Sequence, residues 1–441
     1  MKKTILIKNA IIATGGDKNK ILYDHSILIS GDKIKKIAPK NKFKGKYTKT
    51  INAKGRIAMP GFINAHMHFY STFSRGLTKA KPSKDFVNIL NNLWWRLDKK
   101  LTNEDSYYSA LIPLIDAIKN GTTTLIDHHA SPLNIKGSLF SIEKAVRETG
   151  LRASLCYELS DRDGEKTIQE GLEENLEFIK YTKKKKDNLL HALFGLHASF
   201  TISDKTLEEA AYRGHKLATG FHIHAAEAQA DQIYCEMRHK MRVMERLEKF
   251  GILGKKSIAA HCVHVNDTEI EILKRTGTAV IHNPQSNANN SVGVADIVKL
   301  MNNKVLVGLG TDAMTVNMLE ELRTAIWLQH LKNDPATGFV EPINALMINN
   351  AKIAKRYFKN IGSLKEENFA DIILIDYIPP TPLGAGNFYG HLAFGISQNH
   401  VDTTIVNGKV LMENKKLKLN IDEERVTAKS SQLAAALWKR F

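Results

Sequence analysis

Between residues 60 and 312 the chain alternates short apolar stretches with amphipathic helices eight times over, a rhythm that leaves few folds open. The stretches span residues 60–68, 122–129, 151–158, 192–197, 220–227, 257–264, 278–284 and 305–312. Each is too short for a buried helix and lacks the alternation of a half-exposed strand, as expected of parallel strands covered on both faces. Eight strand–helix units over this length predict a (β/α)8 barrel. A doubly wound open sheet would need a glycine-rich phosphate loop after its first strand, and none is present.

The flanks read differently. Residues 1–58 hold short β segments with a Gly31-Asp32-Lys33 turn, and residues 363–441 return to strands around an Asn407-Gly408 hairpin signal. We therefore expect one α/β chain in three stretches. Residues 59–362 form the barrel, and residues 1–58 and 363–441 together build a small β-sandwich, with a helical tail from residue 422.

Composition narrows the function classes. The 441 residues are 43% hydrophobic and 25% charged, ordinary for a globular protein. No apolar run approaches the ~20 residues of a membrane span, and the N-terminus lacks a cleavage-site pattern, so no membrane partner and a cytoplasmic location are expected. Cys156, Cys235 and Cys262 are odd in number and far apart, which suits a reducing compartment better than a disulfide framework. The net charge of +17 suggests nucleic acid at first. Yet the lysines are dispersed, and the densest run, Lys183 to Lys186, closes an amphipathic helix without interleaved aromatics; a solvated face is expected, and no nucleic-acid partner.

The chemistry gathers at the strand ends. Ten of the 17 histidines (His66, His68, His128, His129, His197, His222, His224, His261, His264 and His282) fall at or near the C-terminal ends of the predicted strands, the face where barrel enzymes keep their active sites. His66 and His68 share one face of strand one, since side chains alternate along a strand. A mononuclear site needs three or four protein ligands and an open position. His224 on strand five is the natural third ligand, with His222 of the same parity as its rival, and Asp312 at the end of strand eight supplies an oxygen. Glu227, three residues after His224, puts a carboxylate within reach of the same cavity.

These residues sit in the stretches PGFINAHMH, NGTTT, GLHASFT, HIHAAE, AAHCVHV, HNPQSN and GLGTDA, followed by ADIILID and VNGKVL. In that order they resemble the amidohydrolase superfamily, in particular the ATZ/TRZ-like clade of aminohydrolases with its guanine and S-adenosylhomocysteine deaminases and triazine hydrolases. NNLWWRLD, DHHASP and LCYELSDRDGE bring the chain nearest to the SsnA-type aminohydrolases. The resemblance implies His66, His68, His224 and Asp312 as metal ligands, Glu227 and His261 as the proton-handling pair, and His197 as a substrate contact. Binuclear relatives carry a carboxylated lysine at the end of strand four; this chain reads Gly195-Leu196-His197-Ala198-Ser199 there, so one divalent metal is expected, zinc before iron or manganese. DHHASP and the ANNSVGVADI stretch depart from better-studied deaminases. His128, His129 and Arg75 are expected in the substrate pocket; Trp94 and Trp95 either cover it or pack a helix into the core.

The implied activity is metal-dependent hydrolysis of a non-peptide C–N bond in a small purine- or pyrimidine-like heterocycle. Water deprotonated at the metal would attack an sp² carbon, Asp312 taking the proton, Glu227 donating one to the ring nitrogen and His261 steadying the oxygen. Ring opening of a cyclic amide and dehalogenation are the alternatives within enzymes, and a silent accessory protein on the same scaffold is the alternative outside them. A homo-oligomer, a dimer, is expected.

Overall fold

The computed structural model describes residues 3–441. Eight parallel strands form the barrel: β1 (Phe62–Met67), β2 (Thr122–Asp127), β3 (Arg152–Leu155), β4 (Leu190–Ala192 continued by Phe194–Ala198), β5 (Phe221–Ala225), β6 (Ile258–His261), β7 (Ala279–His282) and β8 (Val307–Leu309). Neighbours pair in sequence order. The ring closes where Thr311 N and Asp312 N both donate to His66 O, at 2.9 and 3.0 Å, beside a parallel bridge between Met67 and Asp312. Strand four breaks at Leu193, and its second piece meets the end of strand three through Leu159 and Leu196. A Cβ on Gly195 would lie 2.2 Å from Tyr157 O, so this approach of strand four to strand three requires glycine.

Strand residues are buried on both faces, which explains their continuous apolar character. The helices behind them start where the side chains say. Ser203 caps Asp204–Lys216 by accepting from Thr206 N, and Thr102 with Asp105 forms a capping box opening Asn103–Lys119. That box divides the amphipathic region 84–119, which reads as continuous in the sequence, into this helix and a shorter segment over the barrel mouth. The segment, from Phe86 to Lys100, mixes α, π and 3-10 turns.

The two ends of the chain meet in one nine-stranded sheet, with Thr4–Ala13 at its centre and Ile57–Pro60 joining Ile372–Ile375. Ile7, Ile12, Ile27 and Ile29 from the N-terminal part pack with Ile372, Leu374 and Ile405 from the C-terminal part. The expected Asn407-Gly408 turn joins Val401–Val406 to Lys409–Glu413. The tail forms the helix Glu423–Arg440, which packs back on the loop after strand one: Trp438 Nε1 donates to Phe73 O at 2.7 Å, and Arg96 donates to Phe441 O at 2.6 Å. No helix of the described residues is long and apolar enough to cross a membrane.

Candidate active site

Strand ends one, five, six and eight deliver their side chains to one buried point. His66 Nε2 and His68 Nε2 lie 3.3 and 2.9 Å from Asp312 Oδ1, and His68 Nε2 is 3.1 Å from His224 Nε2. Ligand atoms of His66, His224, His261 and Asp312 all fall within 4.8 Å of one another. The left-handed backbone at Asp312 (φ 51°) and at His261 (φ 73°) turns these residues inward just past their strands, a conformation that non-glycine residues rarely keep without surrounding support.

The other ring nitrogens are committed. His68 Nδ1–H donates to His128 O at 2.5 Å and His224 Nδ1–H to His197 O at 3.0 Å, so each Nε2 presents a lone pair to the centre. His66 Nδ1 pairs with His222 Nε2 at 2.8 Å, while His66 Nε2 has no hydrogen-bond partner. His222, the rival ligand of the sequence reading, therefore stands behind the centre and orients His66. Three oriented imidazoles and a carboxylate, all buried, fit a divalent metal ion.

Electrostatics follow from burial and from the pairings. Burial pushes His66 down to about 4. For His68 burial acts in the same direction, but hydrogen bonding and attraction from Asp312, with Glu158 and Asp127 nearby, outweigh it and raise it to about 9, so its Nε2 offers a lone pair to a cation once that proton is displaced. Burial alone would raise Asp312, yet the His66 and His68 rings that face it hold it well below the usual carboxylate range. Ser286 Oγ also donates to it.

Glu227 and His261 stand beside this centre. Glu227 Oε2 is 3.5 Å from His261 Nε2, and burial pushes the Glu227 carboxyl up. His261 Nδ1–H donates to Asn287 Oδ1 at 2.7 Å, which turns Nε2 towards the glutamate. Glu227 lies in the first of the loops that follow strands five and six, and His261 closes strand six itself. Asp231 holds the first of these loops by accepting from Ala226 N at 2.7 Å, where Ala226 is itself left-handed (φ 49°).

A narrow inner chamber of about 50 Å³ reaches the cluster, walled by His68, His197, His224, Glu227 and Asp312. It adjoins an outer chamber of about 570 Å³, and Phe86, Trp95, Phe200 and Asp231 line both. Trp94 and Trp95 cover the inner chamber; Trp94 also packs with Tyr70 and Leu437, so it serves core and cavity together.

Three expected pocket residues lie elsewhere. The Arg75 side chain is half exposed and faces Asp116 at 3.5 Å, because the turn after strand one carries it outward. His129 points behind the barrel wall, its Nε2 3.1 Å from Ser131 Oγ. His128 is fully buried, stacked on His222 with ring centres 4.5 Å apart, under the cluster rather than in the chamber. The chamber instead includes Glu158 and Asp98, and Arg162 lines the outer chamber while donating to Asp98 Oδ2 at 2.8 Å. The signal for Glu158 and Arg162 was the run of charged residues after an apolar strand in LCYELSDRDGE, whereas Asp98 ends the stretch NNLWWRLD.

Comparison with known proteins places this geometry among hydrolases. A profile of the Amidohydrolase family matches residues 57–411. The 5'-deoxyadenosine deaminase of Methanobrevibacter smithii is 34% identical, with 97% of this chain and 96% of that protein covered. A 5-methylthioadenosine/S-adenosylhomocysteine deaminase of Carboxydothermus hydrogenoformans is 33% identical over 96% of each. Among solved structures, an adenosine deaminase from Xanthomonas campestris with bound zinc superposes with a TM-score of 0.87 at 20% identity, covering 98% of both chains.

Proposed function

This chain belongs to the amidohydrolase family, and on that premise we propose that it deaminates an adenine nucleoside or a close derivative by hydrolysis. What supports the reading is the convergence of His66, His68, His224 and Asp312 beside the Glu227–His261 pair at the base of one chamber. The two relatives of about one-third identity, both named for deamination of adenosine derivatives, support the substrate class. The outer chamber supports it too, since it leaves room for a sugar and its 5' substituent next to the reacting base.

A divalent cation held by His66, His68, His224 and Asp312, zinc by preference for this donor set, supplies the Lewis acidity that makes water a nucleophile near neutral pH. Asp312, kept ionised by its histidine partners, accepts a proton from the attacking water. Glu227, whose buried carboxyl favours the protonated form, donates to the ring nitrogen next to the attacked carbon. His261 presents Nε2 to the attacking oxygen, its orientation fixed by Asn287. His197 contacts the substrate, with Nδ1 held 2.6 Å from Thr201 Oγ1. Trp94 and Trp95 limit water around the reacting atoms. Asp312 then passes its proton to the amino group, the C–N bond breaks and ammonia leaves, and the hydroxyl proton returns to Glu227 as the carbon keeps the water oxygen as a carbonyl.

A dimer and a cytoplasmic location complete the proposal; the exposed side chains of Trp327, Leu331 and Phe394 support the first.

Purified, zinc-loaded protein assayed against adenosine, 5'-deoxyadenosine, guanine, cytosine and a cyclic amide tests the reading. Ammonia release with an intact ring is expected, fastest on the adenosine compounds. Ring loss without ammonia would replace deamination by cyclic-amide hydrolysis, and ammonia from guanine alone would replace the substrate class.

A further inference from the structure

The stretches DHHASP after strand two and LCYELSDRDGE after strand three meet at Glu158. Glu158 N donates to His129 O at 2.7 Å, which ties the end of strand three to that of strand two. Leu159 N then donates to Gly195 O at 3.3 Å on the other side. Held from both neighbours, the Glu158 side chain points into the inner chamber and is only 4% exposed.

Its two oxygens are in different situations. Oε1 lies 3.3 Å from His197 Nε2, whereas Oε2 has no hydrogen-bond partner. The nearest nitrogens to Oε2, His128 Nδ1 at 3.6 Å and His68 Nδ1 at 3.8 Å, are too far for a hydrogen bond. A buried acceptor left unpaired is costly, more so when charged, and Glu158 lines the chamber without a side-chain hydrogen bond to offset that cost.

We propose that Glu158 determines specificity by accepting, through its carboxylate, a hydrogen bond from an N–H or O–H on the part of the substrate that does not react. The proposal rests on the deamination reading of this chamber. A substrate with a donor at that position satisfies the buried oxygen. One without a donor leaves it unpaired, and one that presents a ring-nitrogen lone pair sets acceptor against acceptor. The donor has two possible sources, an amino or ring N–H on the base and a hydroxyl on an attached sugar.

Two matched pairs of compounds separate the sources. Adenosine and 2',3'-dideoxyadenosine differ only in sugar hydroxyls; 2,6-diaminopurine riboside and adenosine differ only in an amino donor on the base. In the zinc-loaded wild type, kcat/KM is expected to differ at least about 100-fold within one of the pairs. In Glu158→Met, which removes the acceptor at similar volume, that ratio should shrink tenfold or more, and Glu158→Gln should restore part of it. Zinc content should match the wild type in both variants. Equal loss on all compounds, unchanged ratios, or loss of zinc would each overturn the proposal, the last by making Glu158 a support of the metal centre. If Glu158→Met does not fold, Glu158→Asp, one methylene shorter, serves for the same ratios. A wild type that deaminates none of these compounds refutes the deamination reading instead. The same comparison is then read from the thermal shifts that the compounds induce in wild type and variant, and shifts that do not depend on residue 158 overturn the proposal.

Discussion

The two walls of the inner chamber are built on different principles. On the side of strands one, five, six and eight, the groups that orient the reacting side chains are committed: ring nitrogens to carbonyls, Asn287 Oδ1 to His261, Ser286 to Asp312, with His66 Nε2, Asn287 Nδ2 and Asp231 Oδ1 as the exceptions. On the side of strand three and the covering segment, Glu158 Oε2, Asp98 Oδ1 and Trp95 Nε1 have no partner. A saturated wall holds its groups rigidly, which suits chemistry that tolerates little displacement. The unsaturated wall leaves donors and acceptors for whatever the chamber admits. The comparison teaches that reaction and selectivity are divided between strands, so substitutions on the two sides should differ in kind.

The largest expected effect is on the saturated wall. Glu227→Gln should lower kcat by a factor on the order of 10² to 10⁴ on every substrate alike, the usual worth of a positioned acid or base, while zinc content stays at the wild-type level. Elemental analysis together with kcat decides it. A Glu227→Gln protein that loses zinc would move Glu227 into the metal shell, and one that loses only selectivity would erase the division between the walls. The Glu158 variants are the counterpart, altering ratios between substrates more than the common rate.

The division also explains what could be read from the sequence. The barrel was legible because eight doubly covered strands must be apolar throughout, and the His66-x-His68 and His224-x-x-Glu227 spacings survive translation into one site because each lies on a single strand end. The terminal sheet was legible as a unit from its short strands and hairpin turn. The opposite wall was not. Glu158 and Arg162 sit in the loop after strand three and Asp98 in the covering segment, and they acquire meaning only when tertiary packing brings Arg162 against Asp98 and all three against the chambers. Arg75, His128 and His129 were misplaced for a related reason: proximity in sequence to a strand end does not say which way a loop side chain turns.

A smaller effect sharpens the account of the strand-five loop. Asp231 is buried beneath Glu227, and that burial raises its carboxyl to about 7. The folded state therefore binds the Asp231 proton more tightly than the unfolded state, whose pKa lies near 3.9. The sign is that stability from this group is fully present below the unfolded value and is lost as pH climbs towards 7. Asp231→Asn cannot titrate but keeps an oxygen for Ala226 N. The variant should gain on the wild type between pH 5 and pH 7 by about 1.4 kcal/mol per unit at most, with no further gain above that window. Denaturant unfolding at pH 5, 6, 7 and 8 measures it; a difference that is flat, or that falls with pH, would show that Asp231 is held by attraction rather than strained by burial.

The central claim is that one divalent metal, bound by the His66, His68, His224 and Asp312 cluster, is indispensable to deamination. Chelator-treated protein should be inactive on its best adenosine compound while keeping its fold by circular dichroism. Zinc added back in steps should restore ammonia release in proportion, reaching a plateau at one equivalent per chain. Ammonia release that survives complete removal of metal, or a plateau at two equivalents, would contradict the account.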